Sequence, residues 1–191
     1  MYEFHKNSKG EVTEGYLGNP ENFNGIVFLL KEPNNPSGTN EFWFKNMLES
    51  TNKYMNETKI SKGVFTRFKN RFSEMMKSKD DKKELEDSIF CNIHPEYGES
   101  SETKAVDEAI KEGKAEEMLE FFSTLKDEIT VFACREIYRH LLESKKIKVV
   151  MKQPGLKYKK GILGCFVCEI NNTKFIVYEI YHPSRSGRIQ V

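Results

Sequence analysis

Three stretches of this chain combine reactive residue types with a common setting, each standing at the end of a short apolar run. Leu30-Lys31-Glu32-Pro33-Asn34 closes GIVFLL, Asn92 closes SIFCNI, and His182-Pro183-Ser184-Arg185-Ser186 closes KFIVYEIYH. A carboxylate at Glu32 can accept a proton, and an amide at Asn92 can donate and accept hydrogen bonds at once. An imidazole at His182 can donate to a developing anion. Each has a plainer reading alone. Glu-Pro makes a turn, a strand-end Asn bonds its own backbone, and His-Pro is a common loop element. Their recurrence at successive strand ends makes them a set.

The elements that position them follow from periodicity and punctuation. GIVFLL (25–30) reads as a strand, and Pro33 stops its regular continuation. After the loop NNPSGTN, EFWFKNMLESTNKYM repeats apolar residues at 43, 44, 47 and 48 on one helical face, and a second helix covers 63–77. A charged connector (77–88) leads to the strand SIFCNI (88–93), cut off at His94-Pro95. Helical sequence runs from about Thr103 to Lys126 and breaks near Gly113. EITVFAC (128–134) is a third strand, with the short helix REIYRHLLES (135–144) directly behind it. KIKVVMKQPG, GILGCFVCEI and KFIVYEIYH are extended, and Asn171-Asn172 predicts a hairpin that turns one strand antiparallel. Strands separated by helices predict one α/β domain with a mainly parallel sheet covered on both faces. Ligands of such sheets sit beyond the carboxyl ends of the strands. This rule singles out Lys31 to Asn34, Asn92, Cys134-Arg135 and His182 to Arg185. Tyr138, Arg139 and His140 read as ordinary helix positions, the acids between Glu108 and Glu120 as a solvated face, and His5 as part of a loose terminus.

Composition is that of a folded, water-soluble chain, with 38% hydrophobic and 31% charged residues among 191. No apolar run reaches the roughly 18–20 residues that cross a bilayer. The N-terminus lacks a basic-then-apolar leader pattern, so a cytoplasmic location is expected. Cys165 and Cys168 form a Cys-x-x-Cys pair, but in an extended segment they face opposite sides. Four buried, reduced thiols are therefore expected, with no disulfide framework and no metal site. Net charge is +1 but uneven: residues 145–191 hold ten Lys and Arg against Glu169 and Glu179, a net +8, leaving −7 for the remainder. A polyanionic partner and a lysine-rich solvated face account for that skew equally well.

The order strand–xxxPx–aromatic, strand–Asn, strand–HPS resembles the uracil-DNA glycosylase superfamily. LKEPN stands where that family carries Gly-Gln-Asp-Pro-Tyr, Gly-x-Asn-Pro-Gly or Gly-Glu-Ala-Pro-Gly, and His182-Pro183-Ser184 matches its His-Pro-Ser. The likeness runs from about residue 25 to 187, and HPS is its most specific part. It implies a three-layer α/β/α sandwich over residues 1–191. It also implies hydrolysis of the N-glycosidic bond of uracil or a related deaminated base in DNA, single or double stranded. Such a reaction needs neither metal nor organic cofactor, and a monomer is expected.

The resemblance assigns roles by position. Glu32 and His182 would be catalytic, Glu32 positioning water or countering charge on the sugar, His182 donating to the pyrimidine O2. Asn92 would read the flipped base, with Lys31 and Pro33 beside it and Phe42, Trp43 or Phe44 stacked on it, Phe42 first among them. Asn34, Ser184, Arg185 and Ser186 would meet the DNA backbone, and Arg185 could fill the gap left by the base. The chain departs from the family in Leu30, in Lys31, in Glu for Asp at position 32, and in Arg185-Ser186 after HPS. Two other readings stay open: a nucleic-acid- or nucleotide-binding member of the same fold without activity, and a small nucleoside or nucleotide hydrolase.

Overall fold

A computed structural model of the protein describes residues 3–6, 12–16, 22–31, 87–94, 104–153 and 162–181. The helices expected at EFWFKNMLESTNKYM and 63–77 lie outside these residues. Among the described residues eight strands make one sheet: β1 (Glu3–Lys6), β2 (Val12–Tyr16), β3 (Ile26–Leu30), β4 (Ile89–Asn92), β5 (Glu128–Cys134), β6 (Lys148–Gln153), β7 (Ile162–Ile170) and β8 (Thr173–Ile180). Their spatial order is β1-β2-β4-β3-β5-β8-β7-β6. Three helices are described: α1 (Lys104–Lys111), α2 (Lys114–Phe122) and α3 (Arg135–Glu143). The fold class is therefore α/β.

The central four strands, β4-β3-β5-β8, run parallel. Antiparallel pairings flank them on both sides, β1–β2 and β2–β4 at one edge, β8–β7 and β7–β6 at the other. The sheet is mixed, which corrects the expectation of a mainly parallel one. The cause is local at the C-terminal side. Asn171 (φ 51°) and Asn172 (φ 64°) make a two-residue turn with both residues left-handed, and such a turn joins only antiparallel neighbours. At the other edge β1 and β2 had no counterpart in the sequence reading. His5, expected in a loose terminus, pairs with Glu14 within that ladder.

The parallel strands are built around apolar runs, continuous in β3 and interrupted by polar residues toward the ends of the others, and these runs show which surfaces they bury. All five residues of β3 are buried, and so are Ile129 and the run from Val131 to Cys134 in β5. Successive strand residues point to opposite faces, so both faces of the sheet centre are shielded from water. One face carries a ladder of in-register rings, with centroids 5.2 Å apart for Phe28–Phe132 and 5.5 Å for Phe132–Tyr178. The other face receives α3, whose Tyr138 packs its ring on Phe166 of β7 at 5.1 Å. Burial of Ile137, Tyr138 and Leu141 gives α3 its sheet-facing stripe, and Val106, Ala109 and Ile110 are the buried residues of α1.

Gly113 separates α1 from α2 at φ +84°, a left-handed position that ends the first helix and lets the second begin. The amino edge of the sheet is held by backbone, side-chain and ionic contacts, among them Lys126 Nζ donating to Phe23 O at 2.9 Å and Lys174 meeting Glu128 at 2.8 Å. Asn24 Oδ1 accepts from the Ile26 amide at 3.0 Å, Thr130 N–H donates to Gly25 O at 2.8 Å, and Thr173 Oγ1 donates to Ser123 O at 3.0 Å.

Candidate site at the carboxyl edge of the parallel strands

The four parallel strands end level. Leu30 pairs with Asn92, Leu29 with Ala133, and Cys134 with Ile180, so the last residues of β4, β3, β5 and β8 form one row. Neighbouring strands lie about 4.8 Å apart, which puts the ends of β3 and β8 roughly 10 Å apart along that edge. The row ends in Asn92, a buried polar residue at 6% exposure. Backbone pairing continues one step further, where Ile93 N–H donates to Leu30 O and His94 N–H donates to Lys31 O, both at 2.9 Å.

Of the predicted site residues, the structure describes Lys31 and Asn92. They share the edge but not a face. Asn92 pairs with Leu30, so alternation puts it on the ring-ladder side of the sheet. Lys31 turns to the opposite side and meets Glu136 in the first turn of α3, Nζ to Oε1 at 2.7 Å. Glu32, Pro33, Asn34, Phe42, Trp43, Phe44, His182, Ser184, Arg185 and Ser186 lie outside the described residues.

Around Lys31 the α3 side of the edge is ionic. Arg135, the first residue of α3, directs Nε to Glu179 Oε1 of β8 at 3.3 Å. Lys31 is about a quarter exposed and Glu136 about half, whereas Glu179 is recessed at 12%. The two acids respond in opposite directions. Partial burial opposes ionisation of Glu136, but the hydrogen bond from Lys31, its own backbone amide and the charges of Lys31 and Arg135 together outweigh it and hold the carboxyl below its ordinary range. For Glu179 burial prevails over Arg135 and Arg139, with Glu136 adding repulsion, so its carboxyl is raised. Beneath them the Cys134 thiol is pushed up to about 12 by complete burial. Gly164 on β7 completes the packing. A Cβ there would lie 2.9 Å from Tyr138 Oη and 3.2 Å from Glu179 Oε2, so the missing side chain leaves the space those two groups fill.

Neither Glu136 nor Glu179 was singled out from the sequence. Glu136 did follow the highlighted Cys134-Arg135, and Glu179 lies three residues before His182. A strand-end window widened by one helical turn finds the first. The second required knowledge of which face of β8 meets α3.

A second polar cluster corrects another expectation. Glu116, among the acids read as solvated, is 4% exposed. Its carboxylate accepts from Ser144 Oγ at 2.6 Å and contacts His140 Nε2 at 3.0 Å, tying α2 to the far end of α3. Burial raises its proton affinity, but the Ser144 hydroxyl, its own backbone amide and His140 reverse this and hold the carboxyl low. The carboxylate stands between serine and histidine rather than the histidine between serine and carboxylate. The serine hydroxyl is thus not aimed at a base, and the arrangement braces helices rather than activating a nucleophile.

Among the described residues no three His, Cys, Asp or Glu side chains gather to hold a metal ion, and the four cysteines are buried and unbridged. No described helix is long and apolar enough to cross a membrane. The features of this edge stand on their own, because comparison of the chain with protein-family models, with curated proteins and with solved structures finds no match in any of the three.

Proposed function

We propose that the protein is a DNA glycosylase of the uracil-DNA glycosylase type, hydrolysing the bond to uracil or a related deaminated base at the carboxyl edge of β4, β3, β5 and β8. The observation that carries this reading is the level row of strand ends. Asn92 stands in that row, and the chain leaves it at Lys31 into Glu32-Pro33-Asn34 and at Tyr181 into His182-Pro183-Ser184. Exits roughly 10 Å apart are near enough for groups from both segments to meet one flipped nucleotide. In this mechanism Asn92 reads the base edge, Glu32 positions the attacking water, and His182 donates to O2 as the base departs.

The finer fold, a helix layer on each face, belongs to the same proposal. Crossovers between parallel strands are right-handed. The steps β4 to β5 and β5 to β8 move one way along the sheet, and the step β3 to β4 moves the other way. A right-handed β3–β4 connection would then cover the face opposite α3. The full burial of both faces of β3 agrees.

Incubation with a uracil-containing oligonucleotide, followed by cleavage at abasic sites, tests the activity. Excision is expected, falling by about 10²-fold or more in Glu32→Ala and His182→Ala, as removal of general acid–base groups does. Absence of release from uracil, hypoxanthine and xanthine substrates, or full activity in both variants, overturns it. A nucleic-acid-binding protein without excision is the second reading. It is favoured by the Lys31–Glu136 ion pair, which turns a predicted base-pocket residue away from the face of Asn92. That reading predicts salt-dependent binding with no abasic product.

A further inference from the structure

The carboxyl edge holds three cations on its α3 side, Lys31, Arg135 and Arg139, and two of them are engaged by carboxylates of unequal character. Glu136 is about half exposed, and Glu179 is recessed between β7, β8 and α3. The Lys31–Glu136 pair is close at 2.7 Å, but its carboxylate is half exposed, so an anion arriving from solution can compete for Lys31. Glu179 meets Arg135 at Nε, the guanidinium nitrogen nearest the chain, at 3.3 Å, and leaves the distal fork of the half-exposed Arg135 open to solution. Phosphate is the ligand that such a fork and a nearby ammonium recognise together.

We propose that Glu136 is an intramolecular competitor for Lys31. A nucleic-acid phosphodiester displaces it and is held between Lys31 and Arg135, while Glu179 acts as the positioning residue for Arg135. This rests on the nucleic-acid reading above but not on excision. The competition makes affinity depend on a side chain that never touches the ligand. It also gives the two acids opposite consequences: losing Glu136 frees a cation, and losing Glu179 loosens one.

Fluorescence anisotropy with single-stranded and duplex oligonucleotides at several salt concentrations separates these effects. Glu136→Gln is expected to bind about two- to fivefold tighter than wild type, the range an exposed ion pair spans. Its affinity should fall more steeply with salt, by about 0.7–0.9 in log–log slope, because one more cation is committed to phosphate. Glu179→Gln should bind more weakly, and Lys31→Ala should erase the gain when combined with Glu136→Gln. Glu117→Gln removes the same charge from an exposed pair with Lys114 on α2 and serves as the control. Equal gains in Glu136→Gln and Glu117→Gln overturn the competition, since net charge alone then explains them, and so does absence of binding in both wild type and Glu136→Gln. Binding that follows the expected pattern without any base release supports the competition and refutes the glycosylase reading, so the two fail separately.

Discussion

Replacing Glu116 should damage the fold out of proportion to its chemistry as a helical glutamate. The side chain is buried and bridges Ser144 Oγ at 2.6 Å and His140 Nε2 at 3.0 Å. Hydrogen bonds to an ionised group contribute about 1.5–3 kcal/mol each, and two that share one carboxylate are not fully additive. Glu116→Ala also strands two partners at the α2–α3 junction, so a loss of about 3 kcal/mol is expected, or roughly 6–12 °C in Tm for a chain of this size. Glu116→Gln keeps one acceptor and should lose about half as much. The pH dependence has a definite sign. The folded carboxyl is held below its ordinary value near 4.5. Its contribution is therefore complete above that value and is lost as pH falls through the lowered one. Urea unfolding of wild type, both variants and the exposed control Glu117→Ala, repeated from pH 7 down to pH 3, measures both effects. If Glu116→Ala matches Glu117→Ala to within about 0.5 kcal/mol, or Glu116→Gln keeps the wild-type acid slope, the brace does not exist as described.

Other positions carry independent expectations. Gly164→Ala should destabilise by about 1–3 kcal/mol in the same assay, because its Cβ would enter the space of Tyr138 Oη and Glu179 Oε2; a neutral result would show that those groups give way freely. Asn172→Gly should stabilise by about 0.5 kcal/mol, since glycine adopts the left-handed turn position without strain, and a loss of stability would refute the turn assignment. Cys134 and Cys168 thiols are pushed up to about 12, and all four cysteines are buried. A thiol reagent at pH 8 should therefore label the native protein slowly and all four thiols at once in denaturant; fast native labelling contradicts this.

How much was legible divides along physical lines. The cores of β3 and β5, the break at Gly113 and the Asn171-Asn172 turn were readable because each is decided by residues close together in sequence. Continuous apolar runs and a left-handed pair need no distant partner to be recognised. β1 and β2 were not readable. EFHK and VTEGY carry weak strand patterns, and pairing within the sheet selects their conformation. Glu116 failed for a related reason: its partners lie 24 and 28 residues away, and helical periodicity alone describes an acid in that stretch as exposed. At the candidate site, strand-end logic led directly to Lys31 and Asn92. It did not reveal that one faces α3 and the other the ring ladder, because that depends on the register between strands.

The strand order also sets a timetable for synthesis. β3 occupies the middle of the parallel group, yet its neighbours β4 and β5 follow it by about 60 and 100 residues. At translation rates of about 5–20 residues per second, Ile26–Leu30 waits about 5–20 s for β5 after it has been made. For the first part of that interval, until β4 is made, a five-residue apolar segment has neither of its parallel partners, while the β7–β8 hairpin that comes later can close as soon as it appears. The nascent chain is thus most exposed to aggregation and to chaperone capture early, through the strand that the finished protein buries most completely.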